Sequence, residues 1–384
     1  MTPPAKPPAK PSTIYDLAER AGTSASTVSA ILNGSWQQRR ISADTAARVQ
    51  QLAGELGFAV NRQASGLRRQ RSGLIGMMIP THEDRFFGTM SQAFEREARA
   101  RGLCPVVVST LRDAALEVET VRTLITWQVE HLVVTGATQP DAISEECRQA
   151  GVRHVNVDLP GRRAPSITSD NRWGAAELTR ALQAGPPAAT PGARDAVWFL
   201  GGIRGEYATE QRILGFLEAE GDADGRADGV PAAAVPRGRA ATARAATAAA
   251  VNVDTTAAAT ATRPVALPAA QRVISCGYNP DQAARALEDL YRTLGGLPRA
   301  LLLASAVTLE GAIRFLRTLP DAELAACRFG SYDWDPYATA LRFPVHMVRQ
   351  NVDGLMGEAF RVIDGAGIGA GEVVQVRPEL VRAG

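Results

Sequence analysis

Polar side chains that suit a polyhydroxylated ligand occur in four short stretches of the 384-residue chain. Three stretches carry a carboxylate, Asp84, Asp158 and Asp333, and the fourth carries Arg212. A carboxylate accepts hydrogen bonds from neighbouring hydroxyl groups, and the planar guanidinium of Arg binds a hydroxyl or a phosphate. Two of these stretches also hold aromatic residues that suit either stacking on a sugar face or packing between lobes; they are Phe86 and Phe87 beside Asp84, and Trp334 beside Asp333.

The elements that must position these residues are alternating apolar strands and amphipathic helices, which begin at residue 74. Strands of this near-continuous apolar type are typical of parallel sheets covered on both faces. They fall into two series, which predicts two doubly wound lobes with a cleft between them. Ligands of such sheets bind beyond the carboxyl ends of the strands, where the four stretches lie. The predicted strands are 74–80, 105–110, 131–136 and 153–158, then 196–201, 272–277, 300–305, 327–333 and 345–350.

A different pattern precedes residue 60. Thr13 is placed to cap a first short helix, Gly22 supplies a tight turn, and Ser24 is placed to cap a second helix of very small residues. A third helix follows Ser42 with apolar residues at helical spacing. Two short helices joined by a Gly-containing turn predict a helix-turn-helix, in which the second helix enters the DNA major groove.

The charge distribution supports this interpretation. The whole chain carries a net charge of +2, but residues 1–72 hold ten Lys or Arg against four Asp or Glu. A basic segment of +6 on a body of −4 suits a nucleic-acid-binding head attached to a separate sensing domain.

Several classes of protein are disfavoured. The four cysteines are widely spaced, without CxxC or a nearby His, which predicts reduced core thiols and no metal site. The sequence has no membrane-length apolar run and no signal peptide, so a cytoplasmic protein is expected. Walker, HExxH and convincing GxGxxG motifs are missing, so we predict no enzyme, no catalytic residue and no cofactor. A purely structural DNA-bending protein would not need a body of this length.

Residues 221–270 interrupt the alternation with an Ala-, Thr- and Arg-rich stretch that has no apolar periodicity. Alanine favours helix, but nothing in this stretch gives a helix a buried face. We interpret it as a low-complexity surface insert within the second lobe.

The chain resembles the lactose-repressor/galactose-repressor family of bacterial transcription regulators. The resemblance is carried by "TIYDLAERAGTSASTVSAILNG", "RISADTAARVQQLAGELGFAVNRQASGL", "IGMMIP", "EYATEQRILGF" and "FGSYDWDP". It implies an all-α helix-turn-helix DNA-binding head and an α/β two-lobed effector domain like that of periplasmic binding proteins. The expected division is a disordered tail (1–11), the head (12–60), a hinge (61–72) and a body for effector binding and dimerisation (73–384).

By this resemblance Ala25 and Ser26 face base edges, while Ala30 stands where relatives often carry Arg. Small methyl and hydroxyl groups can contact thymine methyls or either kind of base edge. The "NRQASGLRR" stretch resembles a hinge helix that orders on DNA, with Leu67 as a minor-groove wedge. The predicted DNA-binding residues are Thr13, Ser24, Ala25, Ser26, Thr27, Ser29, Ala30, Asn33, Arg39, Arg40, Asn61 and Leu67.

The resemblance also implies operator DNA, a sugar or sugar-phosphate effector and a second copy of the chain as partners, with a homodimer favoured over a tetramer and no membrane. The fructose-repressor branch is the most similar, which suggests fructose 1-phosphate or fructose. Fructose 1-phosphate would need further cations in the cleft, such as Arg172 or Arg349. The alternative is a sugar-binding protein of the periplasmic type without a DNA-regulatory role. The predicted effector residues are Asp84, Phe86, Phe87, Asp158, Arg212, Ser305, Asp333, Trp334 and Gln350.

Overall fold

The computed structural model describes residues 13–56, 58, 72–184, 193–223 and 267–383. It divides into two compact units, with the boundary between Gly73 and Leu74. The predicted tail, Asn61 and Leu67 lie outside the described residues.

The first unit contains three helices, α1 (Ile14–Ala21), α2 (Ala25–Leu32) and α3 (Ala43–Glu55). Thr13 and Asp16 form a reciprocal capping box at the start of α1, which satisfies backbone donors that the helix leaves free. Gly22 ends α1 with φ at +62°, a conformation that costs glycine little. The apolar faces of the three helices meet in one small core; its fully buried members include Leu17, Val28 and Val49.

The second unit is a pair of α/β lobes, each built on a six-stranded sheet. The first lobe contains β1 (Leu74–Ile79), α4 (Arg85–Ala100), β2 (Cys104–Ser109), α5 (Ala114–Thr126), β3 (His131–Thr135), α6 (Pro140–Gln149), β4 (Arg153–Val157), β5 (Ser166–Ser169), α12 (Val352–Ile363) and β11 (Val373–Val376). The second lobe contains α7 (Asn171–Gln183), β6 (Val197–Leu200), α8 (Tyr207–Ala223), β7 (Val273–Ile274), α9 (Pro280–Leu294), β8 (Ala300–Leu303), α10 (Ala306–Leu316), α11 (Asp321–Ala326), β9 (Arg328–Tyr332), β10 (Val345–Arg349) and β12 (Glu379–Val381).

The strand order is β11-β5-β4-β3-β1-β2 in the first sheet and β12-β10-β9-β8-β6-β7 in the second. All pairs are parallel except β10 with β12. This confirms the predicted two-lobed α/β class. The sequence pattern missed β5, β11 and β12, because these strands are short and their apolar residues are few or alternate with polar ones.

The chain crosses between the lobes three times, after β5, after β10 and after β11. Asp170 lies at the first crossing, and its backbone N–H donates to the carbonyl of Val376, just before the third crossing. The crossings are therefore neighbours, and they form one side of the cleft between the sheets.

The ends of the predicted insert belong to the folded second lobe. Residues 221–223 continue α8, and Leu267 packs against the core of the lobe. Glu220 and Arg272 form an ion pair of 2.5 Å that is at least nine-tenths buried on both sides. The insert boundaries of 221 and 270 were thus too wide, and residues 224–266 lie outside the described residues.

Two further expectations concern the body. The cysteines are unpaired, but Cys104 is exposed and so is not the core thiol that was predicted. Within the described ranges no helix is long and apolar enough to cross a bilayer, and no cluster of His, Cys, Asp or Glu could hold a metal ion.

Helices α7 and α8 pack closely because glycine removes a side chain at the contact. A Cβ added to Gly215 in α8 would overlap the carbonyl oxygen of Arg172 in α7. A Cβ added to Gly221 in the same helix would meet nothing within 4 Å. Gly215 and Gly221 therefore offer a test position and a control position on the same helix.

We expect Gly215→Ala to lower the free energy of unfolding by about 1–3 kcal/mol, because the helices must separate to admit the methyl group. Gly221→Ala should leave it unchanged or raise it by up to about 1 kcal/mol through helix propensity. Denaturant unfolding followed by circular dichroism measures both variants. Equal stabilities would contradict the close approach of α7 and α8.

Candidate functional site

The exposed surface of α2 consists of small hydroxyl-bearing residues. Ser24 and Ser26 are exposed, and Ala25, Thr27 and Ser29 are partly exposed. The Ser24 hydroxyl accepts from the backbone N–H of Thr27 at 3.1 Å and lies 2.8 Å from the hydroxyls of both Ser26 and Thr27. This hydroxyl cluster caps the helix and gives it a flat polar end, a shape that suits close approach to a DNA groove.

Ala30 does not belong to that surface. Its side chain is 4 % exposed, and it lies on the inward side of α2 with Val28 and Ile31. The prediction that Ala30 faces DNA was therefore wrong. The small side chain fits a tightly packed head instead.

The other predicted contacts in the head are exposed. Thr13, Asn33, Arg39 and Arg40 all lie at the surface of the unit. The Thr13 hydroxyl is engaged in the capping box, and the Asn33 amide donates to the carbonyl of Ser29 at 2.7 Å. The two arginines have no ion pair within the described residues, so their charges are available to an external anion.

In the body, the predicted polar residues converge on the cleft. Asp158 follows β4 and Asp333 follows β9, both with φ of +74°, and Gln350 follows β10. Arg212 comes from the first part of α8. All four are buried, with 4–8 % of their surface exposed. The carboxyl ends of strands from both sheets thus bring these groups to one place.

Arg212 is the most constrained of them. Its Nε donates to Asn171 Oδ1 at 2.9 Å and its Nη1 donates to the carbonyl of Ala304 at 2.6 Å. The guanidinium carbon lies 3.8 Å from the centroid of the Tyr332 ring, a cation–π contact. Within the described residues Nη2 has no hydrogen-bond partner, so it is the donor available to a ligand. Burial opposes the charge, but Asp333 and other neighbours raise the Arg212 pKa above its ordinary value.

Burial disfavours the ionised form of two carboxyl groups near Arg212. Burial raises the pKa of Asp158 to about 7, although Arg212 opposes the shift. Burial and the charge of Asp333 raise the pKa of Asp84 to about 6. The Asp158 carboxylate has no hydrogen-bond partner in the described ranges, so a hydroxyl group of a ligand would satisfy an unpaired acceptor.

Asp333 and Gln350 form a second polar pair. Gln350 Nε2 donates to Asp333 Oδ1 at 2.5 Å, while the buried Gln350 Oε1 has no partner among the described residues. Both line a cavity of about 620 Å³ that also contacts Phe86 and Trp334. The cavity lining does not include Asp158 or Arg212, although both are as buried as the lining residues Asp333 and Gln350.

Three predicted effector residues have structural roles. Phe87 is 3 % exposed and packs in the core of the first lobe, so it is not a free stacking surface. The Ser305 hydroxyl accepts from the backbone N–H of Thr308 at 3.1 Å and caps α10. Asp84 caps α4 through the N–H of Phe86 at 2.9 Å, but its charge still interacts with Asp333 and Arg212.

Sequence reasoning missed a second set of polar residues at the cleft. Arg112, Glu206 and Tyr278 interact with one another, and Asn171 orients Arg212. Arg112 lies shortly after β2, so its position beyond a strand end was the available signal, whereas Glu206 precedes α8 and is not at a strand end.

Asp158 gives the body a pH-dependent stability. The folded state favours its protonated form, so the contribution of Asp158 to the free energy of unfolding falls as pH rises from about 4 to 7. We expect Asp158→Asn to remove this loss, because an amide carries no charge and Asn tolerates positive φ. We therefore compare the melting temperature of Asp158→Asn with that of wild type at two pH values. The difference in favour of the variant should be about 5 °C larger at pH 8 than at pH 5.

Asp289→Asn, on an exposed face of α9, is the control and should show no such growth. Scanning calorimetry at the two pH values measures both variants. A constant difference between wild type and Asp158→Asn would contradict the raised pKa.

The head and the two-lobed body together define a ligand-sensing DNA-binding regulator. Comparison with known proteins supports this class. Residues 13–61 match the model of bacterial regulatory proteins of the lacI family. The ribitol operon repressor of Klebsiella aerogenes is 52 % identical over 192 residues, which are 50 % of this chain and 71 % of that protein. The sucrose operon repressor of Klebsiella pneumoniae is 26 % identical over 305 residues, which cover 79 % of this chain and 77 % of that protein.

Solved structures share the fold. The lac repressor bound to ONPG superposes with a TM-score of 0.71 at 19 % identity, covering 97 % of this chain and 99 % of that one. The Cra regulator of Pseudomonas putida in complex with fructose 1-phosphate superposes with a TM-score of 0.61 at 18 % identity. The superposition covers 81 % of this chain and 98 % of that one. The chain belongs to the LacI family of bacterial regulatory proteins. It is a sugar-responsive DNA-binding transcriptional repressor, and its homologues are regulators.

Proposed function

We propose that this repressor binds a small uncharged polyol, of the size of ribitol, between its lobes and thereby changes its affinity for operator DNA. The observation that carries the proposal is the charge balance of the cleft. Three carboxylates, Asp84, Asp158 and Asp333, interact with two guanidiniums, Arg112 and Arg212, so acidic groups outnumber basic ones there. Such a site satisfies hydroxyl groups and repels a phosphate.

Of the two cations that fructose 1-phosphate would need, Arg349 lines the 620 Å³ cavity and Arg172 does not, and both are paired within the protein. Arg172 pairs with Glu218 on an exposed part of α7 and α8. Arg349 lies 4.3 Å from the Trp334 ring centroid and 3.6 Å from Glu379. Free fructose remains compatible with the charge balance. The similarity to a repressor of a ribitol operon favours a pentitol as the first ligand to test.

We further propose that pairs of heads contact DNA through the exposed end of α2, with Arg39 and Arg40 on phosphates. The hydroxyls of Ser24, Ser26 and Thr27 supply donors and acceptors at that end, and Ala25 supplies a methyl group. A homodimer would present two such surfaces to a pseudo-palindromic operator. The proposed roles of Asn61 and Leu67 as hinge contacts rest on the sequence resemblance.

Arg212→Met tests the ligand site. It removes the charged donor while keeping a side chain of similar length, so we expect ribitol affinity to fall by about ten- to a hundred-fold. Operator affinity without ligand should stay within about twofold, because Arg212 belongs to the body. Arg172→Met, which alters an exposed ion pair on the same lobe, is the matched control and should bind ribitol as wild type does.

Titration calorimetry with ribitol, fructose and fructose 1-phosphate measures these affinities. Tighter binding of fructose 1-phosphate than of either neutral compound would overturn the proposed ligand class. Binding of none of them by wild type would do the same.

Arg39→Ala and Arg40→Ala test the DNA surface. Each should reduce the slope of log affinity against log salt by about 1.8, because each removes one phosphate contact from each of the two heads. Arg292→Ala, on an exposed helix of the body, should leave the slope unchanged. Fluorescence anisotropy with an operator from a genomic selection measures the slopes. Unchanged slopes in both head variants would refute the assigned contacts.

A further inference from the structure

Arg112 of the first lobe contacts two residues of the second lobe across the cleft. Arg112 Nη1 donates to Glu206 Oε1 at 3.0 Å, and the Arg112 guanidinium lies 4.7 Å from the centroid of the Tyr278 ring. The side chains of Arg112 and Glu206 are 26 % and 11 % exposed. This ion pair is screened far less than one at an open surface.

The second lobe holds its half of the contact in place by itself. Glu206 Oε2 accepts from the Tyr278 hydroxyl at 2.5 Å and from the Thr209 hydroxyl at 2.9 Å. Thr209 is fixed in turn by the backbone N–H of Ile203, which donates to its hydroxyl at 3.1 Å. Glu206 is therefore oriented before Arg112 arrives, and the ion pair costs little side-chain ordering on that side.

The first lobe presents Arg112 from a constrained turn. Leu111 and Arg112 have φ of +54° and +57°, a left-handed conformation that is unfavourable for side chains other than glycine. Hydrogen bonds hold the turn, since the N–H of Leu111 donates to the carbonyl of Pro80 at 2.8 Å and that of Asp113 to the carbonyl of Thr110 at 2.9 Å. The backbone thus directs Arg112 toward the second lobe.

The contact closes the cleft on the side away from the chain crossings. The 620 Å³ cavity is lined by crossing residues such as Asn351 and Arg377, and not by Arg112 or Glu206. Arg112 follows β2 and Tyr278 follows β7, the edge strands opposite β11 and β12, and Arg112 also acts on the charges of Asp84 and Asp158. A ligand beside those carboxylates therefore meets Arg112 as its boundary.

We propose that Arg112, Glu206 and Tyr278 form an interlobe latch that holds the cleft closed and limits the effector to a single short polyol. A second sugar ring attached to the ligand would have to displace Arg112 and leave the Glu206 carboxylate buried without its partner. The size limit rests on the proposed polyol site, whereas the closure does not.

The closure is tested by the distance between spin labels at Trp127→Cys on the first lobe and Asp289→Cys on the second, with the exposed Cys104 changed to Ser. We expect Arg112→Ala to lengthen and broaden the distance distribution, and Arg112→Lys to restore most of the wild-type distribution. Arg85→Ala is the matched control. It breaks another interlobe ion pair, of 3.2 Å to Asp335, whose arginine is 42 % exposed, and it should change the distribution less.

The size limit is tested by calorimetry with ribitol and with maltitol, a neutral polyol that carries an extra sugar ring. Arg112→Ala should gain at least about tenfold in maltitol affinity relative to ribitol. A distance distribution unchanged by Arg112→Ala overturns the latch, and an unchanged preference overturns the size limit. Failure of wild type to bind ribitol counts against the polyol site alone, because the distance measurement still decides the latch.

Discussion

The buried guanidinium of Arg212 is the constraint on which the body depends. A charge in this position loses its hydration, and one lobe alone supplies it with an amide oxygen, a backbone carbonyl and the face of Tyr332. Of the carboxylates that compensate the charge, Asp333 comes from the same lobe and Asp158 from the other. The electrostatic balance of the site is thus completed only when the two lobes face each other, which couples lobe arrangement to whatever occupies the cleft.

Both proposed functional surfaces are built where helices begin. Ser24 caps α2 at the surface of the head, and Asp84 and Ser305 cap α4 and α10 at the cleft. A helix start offers unpaired N–H groups, so the sequence must place small polar side chains there for local reasons. In a parallel α/β lobe these starts lie at the carboxyl ends of the strands. The requirement for caps and the requirement for ligand contacts therefore fall on the same positions, and one side chain can serve both.

The sequence pattern located most of the cleft, because apolar strands mark their own carboxyl ends and Asp158, Asp333 and Gln350 follow directly. It failed where the outcome depended on packing that periodicity does not encode. A small residue such as Ala30 suits an exposed flat face or a tight interior equally well, and only the packing of three helices decides between them. Phe86 and Phe87 are adjacent, yet one borders the cavity and the other fills the core. Arg112 reaches its partners only through a left-handed turn and the apposition of two lobes. The types of the neighbouring residues predict neither of these features.

The three chain crossings have a consequence for the order in which the protein can be made. The edge strand β11 pairs with β5 although some 200 residues separate them along the chain, and the last strand, β12, then closes the other sheet. During synthesis the first lobe therefore leaves the ribosome without its final strand and without α12, which covers one of its faces. That lobe keeps an unpaired edge and an uncovered apolar face until residues 352–376 have been translated. Unpaired strand edges and exposed apolar surface favour aggregation, and they are the features of nascent chains that chaperones bind.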